Sequence, residues 1–464
     1  MNKKSILLVF SFLIIGLTAC TGNKMPESLF DGNNLDKWNA QGDVKLENQV
    51  LSLGSDASII LKKGDFKNFE LKLTARTVNN GKGFIAFHTD NDGNGGYQVA
   101  LNNDLENPQW WTKTGSLLAV RNLTKSLVKT NESFDMTIRV EDKTITVKLN
   151  DRPVVDYTEP VSTYRSAEHA GQLLSQGSIC IKNTGDGNIE FKSMEIIPID
   201  VSGLDIEKIQ QEKSIDETTD NIIRLHQENF PVLDYHVHLK GGLTGELAAE
   251  QSRKYGINYA LAPNCGIGFP ITNDQQVIHY LDSMKGQPFI QAMQGEGREW
   301  PQTFSKEVRD KFDYVFTDAM TFIDTKGNRT RLWMPDEVFI DNEQKYMDLI
   351  VQKIVDVMQE PMDVYVNPTF LPDQMNDRYD EFWTEERMNK AIAAMVATGK
   401  ALEINNRYRI PHKAFIQKAK DAGLKFTFGT NNMDADFGKL DYCIEMKNAC
   451  GITAQDMFKP KMKE

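Results

Sequence analysis

Two hydrophobic rhythms divide the chain near residue 200. Before it, apolar and polar positions alternate over short stretches, as in Phe69-Glu70-Leu71-Lys72-Leu73-Thr74-Ala75 and Ser178-Ile179-Cys180-Ile181-Lys182. A period of two sends successive side chains to opposite faces, so each stretch reads as a strand with one buried side. Further short strands fall at 136–140, 144–149 and 154–157, separated by Glu-Asp-Lys and Asn-Asp-Arg turns. Many short strands with Gly, Asn and Asp punctuation and no long helical pattern predict an antiparallel all-β sandwich over 28–199. Residues 200–229 change character: Ile206, Ile209, Ile222, Ile223 and Leu225 sit among Glu, Gln, Lys and Asp, which predicts a polar helical connector. From 230 to 464, apolar strands alternate with amphipathic helices. Strands are expected to begin near Val232, Ile257, Phe289, Tyr314, Val364, Ala401 and Lys425, with helices at 245–255, 343–359, 385–398 and 412–422. This alternation predicts a seven-stranded parallel α/β sheet, open or closed into a barrel.

Composition narrows the function classes. The 464 residues carry a formal charge of -12 with 25% charged and 40% apolar residues, the balance of an ordinary folded protein. No Lys/Arg-rich block breaks the acidic background, so nucleic acid is not an expected partner. Lys3 and Lys4 precede an apolar run over residues 6–17, too short to span a bilayer and suited to a signal peptide over 1–19. The run ends in Leu17-Thr18-Ala19-Cys20, which resembles the lipobox of bacterial lipoproteins. That resemblance implies lipidation at Cys20 and a protein anchored by its lipid at the membrane; Thr21-Gly22-Asn23-Lys24 lacks the acidic run that resembles a surface-export tag of some Gram-negative lipoproteins, so the expected placement faces the periplasm. Cys180, Cys265, Cys443 and Cys450 are few and scattered, which implies buried free thiols rather than a disulfide framework.

The sharper chemistry lies after residue 230. Asp234, His236 and His238 alternate along one strand, so their side chains share a face and the two imidazoles can hold one metal. Active sites of β/α barrels lie at the C-terminal ends of the strands. In order, those ends supply His236 and His238, Asn264, Glu296, Asp318, Asn367, Glu403 with Asn405, and Asn431 with Asn432.

These motifs resemble the polymerase-and-histidinol-phosphatase (PHP) family, whose members have a distorted seven-stranded barrel and are mostly metal-dependent phosphoesterases. The resemblance runs through the Asp-x-His-x-His opening at Asp234, His236 and His238, then Gly295-Glu296, then Leu402-Glu403-Ile404-Asn405-Asn406. It implies one divalent metal, zinc or manganese, on His236, His238 and Glu296, with Asp234 and Glu403 as base or substrate ligands and Asn367 and Asn431 toward the substrate. Three departures stand out: Asn367-Pro368 replaces His-Pro, Asn264-Cys265 replaces Asp-His, and Asn431-Asn432-Met433 replaces Asp-x-His. Asn is a poor substitute for these residues as a transition-metal ligand.

The N-terminal segment Leu29-Phe30-Asp31-Gly32-Asn33-Asn34-Leu35-Asp36-Lys37-Trp38 resembles the opening of the 3-keto-disaccharide hydrolase domain family, which has a concanavalin-like jelly roll. The resemblance continues through Gly83-Phe84-Ile85-Ala86-Phe87 and Gly96-Tyr97-Gln98-Val99. It implies action on glycosides oxidised at carbon 3. The chain departs from the family at His88, where many relatives have Arg, and at Ile181-Lys182-Asn183; His88 is still expected to polarise a carbonyl, and the aromatic faces of Trp110 and Trp111 to stack on sugar. The expected protein is a carbohydrate-processing hydrolase or lyase. The competing expectations are a glycan-binding lipoprotein without turnover and a metal-dependent phosphoesterase.

Overall fold

The computed structural model describes residues 25–463, so the signal-peptide stretch 1–19 and Cys20 lie outside the described residues. Two antiparallel sheets form the N-terminal sandwich. One runs, in spatial order, through Arg152–Thr158, Thr144–Leu149, Phe134–Glu141, Phe69–Val78, Asn188–Pro198, Val50–Leu53 and Val44–Glu47, with Glu27–Phe30 added on Asn188–Pro198. The other runs Trp38–Gln41, Ser58–Leu61, Ser178–Asn183, Lys82–Thr89 and Tyr97–Asn102. Alternation sets the register: Leu71 lies opposite Ile138 and Leu73 opposite Met136, all buried in the core between the sheets.

The second half is a nearly closed barrel of seven parallel strands: β1 (Leu233–Val237), β2 (Asn258–Leu261), β3 (Ile290–Gly295), β4 (Tyr314–Thr317), β5 (Val364–Tyr365), β6 (Ala401–Asn405) and β7 (Phe426–Gly429). Every residue of β1 and β6 is buried, as expected of parallel strands covered on both faces. The intervening helices have ordinary stop and start signals. Helix Glu385–Thr398 opens on a Thr384 side-chain cap, buries Met388, Ala391, Ile392 and Met395 along one stripe, and ends at left-handed Gly399.

Asp234 closes the barrel. Its carboxylate accepts the backbone N–H of His236 and both the N–H and the hydroxyl of Thr430, which follows β7. The Asn431 N–H also donates to the carbonyl of His236 at 2.9 Å. Asp234 is fully buried, does not border the mouth cavity described below, and has its affinity for a proton raised to about 6 by burial. The role of base or ligand expected for it is therefore corrected: it joins the first strand to the last. Replacing it with Ala strands the two Thr430 donors and should cost about 2–3 kcal/mol in a denaturant titration.

The connector divides into Ile206–Lys213, largely exposed, and Asn221–Gln227, which is a wedge rather than a polar linker. Ile223 enters the sandwich core while Ile222 and Leu225 enter the barrel core. Arg165 and Glu217 pair at 2.7 Å beside it, both nearly inaccessible. Further contacts seat the sandwich on the N-terminal end of the barrel. Thr124 N–H donates to Asn258, the Asn258 amide donates to the Asn122 carbonyl, and Lys125 approaches Asp313 just before β4. The opposite, C-terminal end of the barrel stays open.

Candidate active site at the barrel mouth

A cavity of about 490 Å³ occupies that open end. His238, Asn264, Glu296, Asp318, Asn367 and Asn431 form its polar wall. Trp333, Phe370, Tyr408 and Met433 add aromatic and apolar surface, and Lys240 and Arg407 also border it. Trp333 arrives on the segment that follows a hairpin of Thr321–Ile323 with Arg329–Arg331, inserted after β4.

Glu403 lies beneath this wall, fully buried. One carboxylate oxygen meets His236 Nδ1 at 2.6 Å, and the other accepts the Asn367 N–H at 2.7 Å and the Asn405 amide at 3.0 Å. His236 gives Nδ1 to Glu403 and turns Nε2 inward, and that buried atom has no hydrogen-bond partner among the described residues. His238 Nδ1 lies 2.6 Å from the Ala262 carbonyl, which can only accept, so the neutral ring keeps Nε2 bare. Burial holds His238 well below the usual histidine range and therefore neutral. The two ring centroids are 5.0 Å apart.

Glu296 follows β3 and is 7% exposed. The Asn264 amide donates to it at 2.6 Å. Burial, then the negative charge of Asp318, push its proton affinity up to about 8. Asp318 follows β4 and accepts the Asn367 amide at 3.0 Å and the Met320 N–H at 2.9 Å. The Asn367 carbonyl oxygen accepts in turn from Asn405 and Asn431. Asn367 and Asn431 both hold left-handed backbone, with φ of 47° and 46°. Asn tolerates that conformation far better than most residues do, which gives a local reason for Asn at these two strand ends.

The donors do not assemble the expected metal centre. Among the described residues, no three His, Cys, Asp or Glu side chains are grouped so as to hold a metal ion. Glu296 is turned onto Asn264, leaving two imidazole nitrogens without a third protein ligand.

One expectation in the sandwich is corrected. His88 is buried on a bulge with φ of 59°, where the Ser175 N–H donates to Nδ1 and Nε2 donates to the Lys67 carbonyl. Both nitrogens are used, so the ring polarises no substrate. Burial lowers its pKa to about 4, whereas an unfolded histidine titrates near 6.5. The unfolded chain thus takes up this proton first, and His88 removes stability as pH falls from about 6.5 to about 4. A His88→Asn chain should show a shallower loss of melting temperature across that interval. Trp110 and Trp111 are 3% and 6% exposed, packed with the barrel core, and Trp111 donates to Asn229. They join the two domains, and both border a cavity of about 690 Å³ at that junction.

The sandwich has a cavity of its own, about 390 Å³, bordered by Gln98, Asn102, His169 and Gln172 beside the connector. The Gln172 side-chain oxygen is buried there without a partner among the described residues. Neither His169 nor Gln172 was expected from the sequence, where they sit in an irregular stretch. Lys240, Arg407 and Tyr408 also escaped it, although each follows a strand end already singled out.

Residues 25–197 match the model of the 3-keto-alpha-glucoside-1,2-lyase-like domain family. No curated protein matches the chain. Among solved structures, a candidate glycosyl hydrolase from Parabacteroides distasonis aligns at 20% identity and a TM-score of 0.34, covering 38% of this chain and 94% of its own. A second candidate glycosyl hydrolase from that organism aligns at 23% identity and a TM-score of 0.32, covering 38% and 100%. A carbohydrate-binding module from Bacillus subtilis aligns at 15% identity and a TM-score of 0.26, covering 34% and 93%.

Proposed function

We propose that this protein is a carbohydrate-processing hydrolase or lyase acting on glycosides, 3-keto-glycosides among them, with its reaction centre at the barrel mouth. The observation that carries the reading is the carboxyl pair Glu296 and Asp318, set at the ends of adjacent strands in one cavity with an aromatic border. A pair of carboxyls, one of them held protonated to serve as the acid, is the usual equipment for breaking a glycosidic bond. The family match of the sandwich supports a sugar substrate. The Leu17-Thr18-Ala19-Cys20 motif supports a lipid-anchored, periplasm-facing placement.

In a 3-keto-glycoside, the ketone acidifies the hydrogen on carbon 2. Asp318 takes that proton, the C–H electron pair becomes a double bond between carbons 1 and 2, and the bond from carbon 1 to the glycosidic oxygen breaks. Glu296 gives its proton to the departing oxygen, so an unsaturated 3-keto sugar and an alcohol leave. Water added across the double bond completes the hydrolysis. The rings of Trp333 and Tyr408 supply apolar surface for a sugar face, and the bare His238 Nε2 accepts a sugar hydroxyl.

The test is the pH profile of kcat/KM on a 3-keto-glycoside. Glu296 works protonated, so activity should hold below about pH 8 and fall above it. Asp318→Asn removes the charge that raises Glu296, so activity should drop and the fall should move to lower pH. An unmoved fall in that variant would discard the pair. Elemental analysis finding about one zinc or manganese per chain, lost in His236→Ala/His238→Ala, would replace the reading with a metal-dependent one. A second reading places the chemistry in the sandwich cavity, favoured by the unpartnered Gln172 oxygen. There, His169→Ala would abolish turnover and Glu296→Gln would not.

A further inference from the structure

Lys240 follows β1 and Arg407 follows β6, and both border the mouth cavity. Lys240 is half-buried; burial and then the charge of Arg407 across the same cavity depress its proton affinity, while the charge of Glu296 opposes them. Among the described residues, neither cation has a hydrogen-bond or ion-pair partner through its charged group. Arg407 lies over the Tyr408 ring at 4.8 Å and Lys240 makes no such contact. Glu296 attracts Lys240 through space, but no acid of the cavity forms an ion pair with either cation. Glu296 is bonded to Asn264, Asp318 to Asn367 and Met320, and Asp373 at the border forms no ion pair with either cation. Like charges brought together beside a partly dehydrated cavity oppose folding unless an anion joins them.

We propose that Lys240 and Arg407 form a binding site for an anionic group on the sugar, so that the substrates are acidic saccharides bearing a carboxylate or a phosphate. This rests on the barrel mouth being the reaction centre. Arg offers a planar fork of donors and Lys a point charge, a combination suited to an oxyanion held at the border while the ring lies over Glu296 and Asp318. The anion is placed at the edge of the cavity, away from the carboxyl pair that must exchange protons with the substrate.

Calorimetric titration of the full chain with glucuronate, glucose 6-phosphate and glucose tests this. Glucuronate should bind at least about tenfold more tightly than glucose at low salt, with the advantage shrinking as salt is added. In Lys240→Gln/Arg407→Gln, two changes at accessible positions, the advantage should vanish. Preference for glucose 6-phosphate with none for glucuronate would support the cation pair and assign its anion to phosphate. Equal binding of all three, binding of none, or a preference that survives the double substitution would overturn the proposal. Turnover separates this from the reading beneath it. Loss of activity in Glu296→Gln without any anion preference removes only the anion site. Anion preference with full activity in Glu296→Gln removes only the carboxyl mechanism.

Discussion

Replacing Glu296 with Gln is expected to lower kcat/KM on a glycoside by about 10²–10⁴-fold while leaving the melting temperature unchanged or higher. Gln keeps the shape and the acceptor oxygen that receives the Asn264 amide, so the wall of the cavity survives. It loses the exchangeable proton, since an amide does not deliver one to a departing oxygen at neutral pH. The two readouts move oppositely because burial and Asp318 already disfavour the ionised form of Glu296. A neutral side chain relieves that strain on the fold. Steady-state kinetics and a thermal melt of the same preparation check both halves. An active Glu296→Gln chain would sink the carboxyl mechanism, and a barely folded one would show that Glu296 serves packing first.

The architecture was legible because both rhythms are local. Fully buried parallel strands read as short apolar runs, and helices Gly245–Tyr255 and Glu385–Thr398 carry Thr caps and Gly stops at their ends, so their bounds follow from neighbouring residues alone. The site was legible only as a set of strand ends. Asp234, His236 and His238 share a face by their spacing, but a barrel interior is layered, and each step of two residues along β1 climbs about 7 Å. Asp234 therefore lies in the lower layer against Thr430, His236 in the middle against Glu403, and only His238 reaches the cavity. Spacing along one strand does not reveal that depth. Nor does it reveal what covers a residue. Trp110 and Trp111 read as a sugar platform because nothing nearby in sequence hides them, and the surface that does belongs to the barrel more than 100 residues away. The pairing of Glu296 with Asp318 is likewise a contact between strands, visible only once β3 and β4 are neighbours.

Gly429→Ala is expected to destabilise the barrel by about 2–4 kcal/mol and to displace the Glu403–His236 pair. A methyl group at this position would lie 2.2 Å from a Glu403 carboxylate oxygen and 2.8 Å from the His236 Cβ. Something must move, and neither neighbour is free to. Glu403 is held at both oxygens by His236, Asn367 and Asn405, and the His236 Cβ is fixed by β1 itself. If Glu403 retreats, it abandons the Asn367 N–H, a buried donor with no other partner among the described residues, and breaks its bond to His236 Nδ1. If β7 retreats, it stretches the Thr430 and Asn431 bonds that close the barrel on β1. Either route costs bonds in addition to steric strain, which is why the expected loss exceeds that of an ordinary added methyl. Gly245→Ala is the matched control, because a Cβ there meets nothing within 4 Å and the position begins a helix. It should be neutral or slightly stabilising. Urea titration of the two variants beside the parent, with the histidine ring resonances followed by NMR, measures both effects. Equal stability of Gly429→Ala and Gly245→Ala would mean that the packing around Glu403 is looser than the hydrogen bonds at its two oxygens imply.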